Sequence, residues 1–237
     1  MKSAKPKLLI GECSHRWFGI VSVLVKVEEG CQLHLPRACY DPLIRQTLPQ
    51  ETFRRLVLTP AGLACGDRVL DLGCGTGSHA TIIKRVHPDA CVVGIDDDPE
   101  AIALAKARAA RESVAIVFRH GNATQLPFEG QSFDHVFSSF VFHHLDRADK
   151  CRTLGEILRI LRMGGHLHLV DFARPQGWRM RLAFVFIRLT HQHASLDDNV
   201  RGMLPTLLRE AGFTSPMQEV RAQSPFGTIG ILHAGKE

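Results

Sequence analysis

From Arg68 onward, short apolar runs alternate with stretches of helical spacing along the chain. Val69–Leu72, Cys91–Asp96, Val114–Arg119 and His166–Asp171 predict strands, each a brief, mostly apolar segment, and Phe133–Leu145 predicts a buried strand that opens into a loop. Glu100 to Arg111, Leu154 to Arg162 and Leu204 to Gly212 predict helices, the last stopped at Ala211-Gly212-Phe213. Ser215 to His233 predicts two further strands. Strands that alternate with helices argue for a mainly parallel sheet covered on both faces, an α/β fold.

The first of these strands carries the most specific chemistry. Val69-Leu70-Asp71-Leu72 runs into Gly73-Cys74-Gly75-Thr76-Gly77-Ser78, with glycines at alternate positions. Glycine lacks Cβ and tolerates positive φ, so the backbone of such a turn can approach a nucleoside ligand closely. A dinucleotide site wants Gly-x-Gly-x-x-Gly, with pyrophosphate at the helix N-terminus. Here the third glycine comes one residue early, and Ser78 holds the dinucleotide position. Asp71 lies two residues before the first glycine, where a carboxylate repels pyrophosphate and favours a cationic ligand.

Further cues follow in order. The second strand ends at Asp96, followed by Asp97, Asp98 and Pro99, and Asp98 reads as a helix cap. A carboxylate at the tip of a neighbouring parallel strand can accept both ribose hydroxyls of an adenosine. Gly121-Asn122-Ala123-Thr124 opens a loop in which the Asn122 amide oxygen can accept from an adenine amino group or cap the following turn. The strand through Ser138 opens toward His143 and His144, and Arg162-Met163-Gly164-Gly165 marks a turn before the strand that ends at Asp171.

Taken together, these segments resemble the class I S-adenosylmethionine-dependent methyltransferases, whose motif I is an acidic residue, any residue, then Gly-x-Gly-x-Gly. Asp71 through Gly77 match it at every specified position, and Asn122 stands where the family usually has Asp. The resemblance implies a Rossmann-like seven-stranded fold whose sheet ends in an antiparallel C-terminal strand. It implies S-adenosyl-L-methionine as cofactor, held by Asp71, Gly73, Cys74, Gly75, Thr76, Gly77, Asp96, Asp97, Asn122, Ala123 and Ser138. The pattern is most similar to the ubiquinone and menaquinone C-methyltransferase-like group of small-molecule enzymes. In such relatives the segment from Ala38 covers the cofactor, which places Tyr40 near the methyl group. Trp178 and His191 fall where the family inserts a substrate lid, about residues 174–198, so both are candidate acceptor contacts.

Methyl transfer needs alignment and a dry pocket, and a base only when the acceptor loses a proton. His143 and His144 lie past the fourth strand, at the sheet edge where α/β folds bind ligands, and are the candidate bases. Packing on the cofactor or helix capping are their alternatives. His166 and His168 alternate along one strand and read as core or sheet-face packing, while Asp171 is a further carboxylate at the productive edge or the cap of the helix that follows. Between Trp178 and Leu189, apolar residues recur at helical spacing beside Arg179, Arg181 and Arg188, which suggests an apolar acceptor, a membrane-facing entrance or an ordinary buried helix.

At 237 residues and 45% hydrophobic, the chain allows one substantial core: a methyltransferase domain over 38–237 behind an N-terminal extension, 1–37. The apolar stretch Trp17–Val25 is too short to cross a bilayer. Seven cysteines without a Cys-x-x-Cys pair support neither a zinc site nor a disulfide framework, so no metal and a cytoplasmic setting are expected. The net charge of +5 is spread along the chain, and nucleic acid is not an expected partner. The expected partner is a small-molecule acceptor, with peripheral membrane contact and a homodimer left open. The alternative function is a non-catalytic cofactor-binding protein on the same fold.

Overall fold

The computed structural model describes residues 58, 61–174, 197–224 and 227–237. The extension 1–37, Tyr40, Trp178, His191 and most of the expected insertion lie outside the described residues.

The elements are β1 (Arg68–Leu72), α1 (Ser78–Val86), β2 (Cys91–Asp96), α2 (Pro99–Arg111), β3 (Val117–His120), β4 (Phe133–Ser139), a 3₁₀ turn (Phe142–His144), α3 (Arg147–Ile160), β5 (Leu161–Phe172), α4 (Asp197–Arg201), α5 (Leu204–Glu210), β6 (Thr214–Ser224) and β7 (Gly227–Gly235). One seven-stranded sheet runs in the order β3-β2-β1-β4-β5-β7-β6. The first five strands pair in parallel, and β7 lies antiparallel between β5 and β6. The Rossmann-like, mainly parallel architecture with an antiparallel C-terminal end is therefore present.

Alternation along each strand divides the core into two layers. Val69, Val92, Phe118, Phe137 and Val170 pack with Ile82 and Ile83 of α1 and with Ile102 and Ala105 of α2. Leu70, Ile95, Val136, Leu167 and Leu169 pack with Leu154 and Ile157 of α3 and Leu204 and Leu207 of α5. Each such leucine or isoleucine withdrawn from water stabilises the fold by about 1.5–3 kcal/mol before ordering costs.

Several boundaries differ from the sequence expectation. Helix α3 begins seven residues before Leu154, at Arg147, because Asp146 caps it by accepting from the Asp149 N–H at 2.8 Å. Its first two turns are polar, so apolar periodicity could not announce them. Strand β5 starts at Leu161 and absorbs the expected Arg162–Gly165 turn as an irregularity, the register slipping between Phe133 and His135 of β4. β3 is shorter than expected, four residues at the sheet edge.

The order reverses at β1, whose neighbours are β2 on one side and β4 on the other. In open α/β sheets ligands bind outside the carboxyl ends of the strands at such a switch point. The Gly73–Gly77 turn and the Phe140–His144 segment both leave the sheet there.

Candidate active site

At that edge lies a cleft of about 450 Å³, within the range that small-molecule sites occupy. The β1 turn supplies Gly73, Cys74, Gly75 and Thr76, the end of β2 supplies Asp96 and Asp97, and the loop after β3 supplies Gly121, Asn122, Ala123 and Thr124. Ser139, Phe140, Val141, His144, Leu145 and Asp149 close the far side.

The glycines of the turn have separate duties. Gly73, Gly75 and Gly77 all take positive φ, at 68°, 51° and 74°. A Cβ at Gly77 would stand 2.8 Å from Phe118 Cζ and 2.9 Å from Ala105 Cβ, so this glycine lets α1, α2 and β3 pack closely. A Cβ at Gly75 meets nothing within 4 Å; its bare backbone faces open space. Gly75 N–H donates to Asp96 Oδ2 at 2.8 Å, and Asp98 N–H donates to Oδ1 at 3.0 Å. These bonds fix the Asp96 carboxylate at the cleft wall. Asp98 itself caps α2, accepting from the Glu100 and Ala101 N–H groups, as expected.

Asp71 sits behind the cleft, and this changes its expected part. Its alternation in β1 turns it toward α1, where it is 1% exposed, accepts the Ala80 N–H at 3.0 Å and lies 3.2 Å from His79 Nδ1. Gly77 has no side chain with which to cap α1, and Asp71 serves that end of the helix from the strand below. From there it supports the N-terminal end of α1 behind the glycine turn. Gly77 and Ser138 likewise stand outside the cleft lining, and Ser139 takes the wall position next to Ser138.

Asn122 adopts the capping geometry. Its Oδ1 accepts from both the N–H and the hydroxyl of Thr124 at 2.8 Å, so the oxygen expected to meet adenine is engaged within its own turn. Cys74 is buried at the cleft wall, and burial first, then Asp71 and Asp96, push its thiol well above the usual range. It is an inert packing group there.

Past β4, Phe140 takes φ of 59°, unusual for a residue with a Cβ, and donates its N–H to Val170 O at 2.8 Å. This bend turns the chain so that His144 enters the cleft wall, with its ring centroid 3.9 Å from that of His143. His143 is outside the lining and bonds to Asp171 of β5, Nδ1 to Oδ1, at 2.9 Å. Sequence reasoning placed the two histidines and Asp171 at one edge but had no signal for their pairing. It also missed Ser139, Phe140, Val141 and Asp149, whose positions depend on the bend at Phe140 and on the cap of α3.

The described lining contains the carboxylates of Asp96, Asp97 and Asp149 and no lysine or arginine. Such a wall disfavours pyrophosphate and suits a ligand carrying ribose hydroxyls and positive charge. A close-approach cradle at Gly75, carboxylates at the β2 tip and net negative lining fit S-adenosylmethionine.

Comparison with known proteins agrees. The family model described as a methyltransferase domain matches residues 69–165. A demethylmenaquinone methyltransferase of Deinococcus radiodurans is 36% identical over 126 residues, 53% of this chain and 50% of that protein. The chain thus spans about half the length of the first curated relatives it matches. An uncharacterized methyltransferase of Synechocystis is 31% identical over 78% of this chain and 83% of that one. The crystal structure of a SAM-dependent methyltransferase from Methanosarcina mazei superposes with a TM-score of 0.63 at 22% identity, covering 76% of this chain and 96% of that one. This last likeness shows the shared fold.

The chain belongs to the class I S-adenosylmethionine-dependent methyltransferases, and S-adenosylmethionine is the cofactor for which its cleft is built. Proteins described as demethylmenaquinone methyltransferases are among the relatives it resembles.

Proposed function

We propose that the protein transfers the methyl group of S-adenosylmethionine to a small apolar or aromatic acceptor, a quinone-like ring being the first to test. The carrying observation is the switch-point cleft, in which the open Gly75 backbone, the Asp96 carboxylate and a described lining without lysine or arginine converge. The acceptor class is supported by relatives named demethylmenaquinone methyltransferases and by the apolar side chains of Phe140, Val141 and Leu145 on the far side. When bound, the cofactor supplies an electrophilic methyl carbon on a positively charged sulfur. The protein's part is to hold the adenosine at Asp96 and the glycine turn and to exclude water from the acceptor side.

Titration calorimetry tests the cofactor half. The wild type binds S-adenosylmethionine, and Asp96→Ala weakens binding about 10–100-fold, the loss expected for hydrogen bonds to a charged group. Absence of binding at millimolar cofactor overturns the proposal. The transfer half is tested with labelled cofactor against a panel of naphthohydroquinones, phenols and amines. Binding without acceptor-dependent release of S-adenosylhomocysteine would favour a non-catalytic member of the fold.

A further inference from the structure

Strand order lays the cleft out in sequence. From β1 outward the sheet runs β1, β2, β3, so the glycine turn, the Asp96 carboxylate at the tip of β2 and the Gly121–Thr124 loop after β3 follow one another along its edge. A nucleoside whose ribose is held at Asp96 and whose tail lies at the glycine turn has its base at the β3 loop. That loop is closed on itself. Gly121 donates its N–H to Asp96 O at 2.9 Å, and Gln125 donates its N–H to Asn122 O at 3.2 Å.

Asn122 is exposed and lines the cleft, and its Oδ1 accepts both the N–H and the hydroxyl of Thr124 at 2.8 Å. A hydroxyl can turn to serve as donor or acceptor. A backbone N–H is a donor only, and it fixes the amide: the oxygen faces Thr124, and Nδ2 with its two hydrogens is the side that no described residue engages. Turning the amide over would set Nδ2 against the Thr124 N–H, donor against donor. A carboxylate in the same place would behave differently, since one oxygen could cap Thr124 while the second still offered an acceptor. Asparagine and aspartate therefore present opposite polarity to a ligand at this position.

We propose that Asn122 is a specificity residue that reads the base of the bound nucleoside as a hydrogen-bond donor, favouring a purine edge that presents an acceptor over one that presents an amino group. Bases are distinguished by the hydrogen bonds made to their Watson–Crick edge. A 6-aminopurine can meet Nδ2 only through its ring nitrogen, and its amino group gains nothing from the contact. A 6-oxopurine meets it with O6 itself. The ligands of the cleft accordingly extend to nucleoside sulfides with a 6-oxopurine base, of which S-inosylhomocysteine is the simplest. This rests on the reading of the cleft as an S-adenosylmethionine site.

Titration calorimetry of the full chain with S-adenosylhomocysteine and S-inosylhomocysteine tests this. Asn122→Ala is expected to weaken S-inosylhomocysteine about 3–10-fold, the loss of one neutral hydrogen bond, and S-adenosylhomocysteine by less. Asn122→Asp, nearly isosteric at an exposed position, is expected to shift the ratio of the two dissociation constants about 10–100-fold toward S-adenosylhomocysteine. Its second oxygen accepts from the amino group and repels O6. A larger loss for S-adenosylhomocysteine than for S-inosylhomocysteine in Asn122→Ala overturns the proposal, because the amide oxygen would then be serving the amino group. An unchanged ratio in Asn122→Asp overturns it as well. A wild type that binds neither S-adenosylmethionine nor either sulfide overturns the cofactor site and the proposal with it, a result distinct from any shift in the ratio.

Discussion

At the scale of single residues, the glycine turn separates binding from folding. All three glycines have positive φ, and replacing any with a residue bearing a Cβ costs about 1–2 kcal/mol for the backbone alone. Gly77→Ala adds a clash with Phe118 and Ala105, whereas Gly75→Ala meets only the open cleft. In urea titrations Gly77→Ala is expected to be the less stable of the two, and by calorimetry Gly75→Ala is expected to lose more cofactor affinity relative to its stability. Equal effects of the two variants on both quantities would contradict this division. The presence of the turn and its ligand class were legible in the sequence from Asp71 to Gly77. Which glycine faces the ligand was not, since that depends on where Phe118 of β3 and Ala105 of α2 arrive.

At the scale of elements, helix α1 shows how a motif residue serves a neighbour. Its N-terminus lacks a local side-chain cap, and the buried Asp71 of β1 accepts the Ala80 N–H in its place. Removing a hydrogen-bonded buried carboxylate that also faces His79 costs about 1–3 kcal/mol. Asp71→Ala is therefore expected to lower the urea midpoint even in the absence of cofactor. A variant with wild-type stability and a pure binding defect would return Asp71 to direct ligand contact. Parity along β1 was visible in the sequence, but not which face carried α1. For α3 the local signals were misleading instead, because Asp146 starts the helix two polar turns ahead of its first apolar stripe.

At the scale of the whole molecule, three histidines form a file across the sheet. His135 of β4 lies 3.2 Å from Asp67, and its other nitrogen lies 3.1 Å from His168 of β5, which in turn lies 2.8 Å from His233 of β7. With Asp67 ionised and the rings neutral, one proton order satisfies every contact: His135 donates to Asp67, His168 to His135, and His233 to His168. Burial, followed by the neighbouring histidines, depresses His168 well below the ordinary value, and burial depresses His135 against the opposing pull of Asp67. A histidine depressed in the fold binds fewer protons than in the unfolded chain below about pH 6.5, so stability is full above that value and falls as the solution is acidified. Urea midpoints are expected to decline from pH 6.5 to pH 5, and less steeply in His168→Gln. An equal slope in the variant would remove the file from the cause. The sequence read His166 and His168 alike as core or sheet-face packing, and strand order buries His168 between β4 and β7 while His166 is exposed.

What the sequence determined by itself is whatever depends on neighbours along the chain: the alternating elements, the glycine turn with its acidic approach, the Asp98 cap and the carboxylate that ends β2. These follow from short-range stereochemistry, in which φ, side-chain parity and capping are local. The tertiary structure decided what depends on meetings between distant segments. It set Asp71 under α1 and joined His143 to Asp171 and Asn199 across 28 residues on either side of that carboxylate. A cofactor site built on one turn can be read from a line of residues. The contacts that Asp171 makes with His143 and Asn199 exist only when the sheet has closed around them.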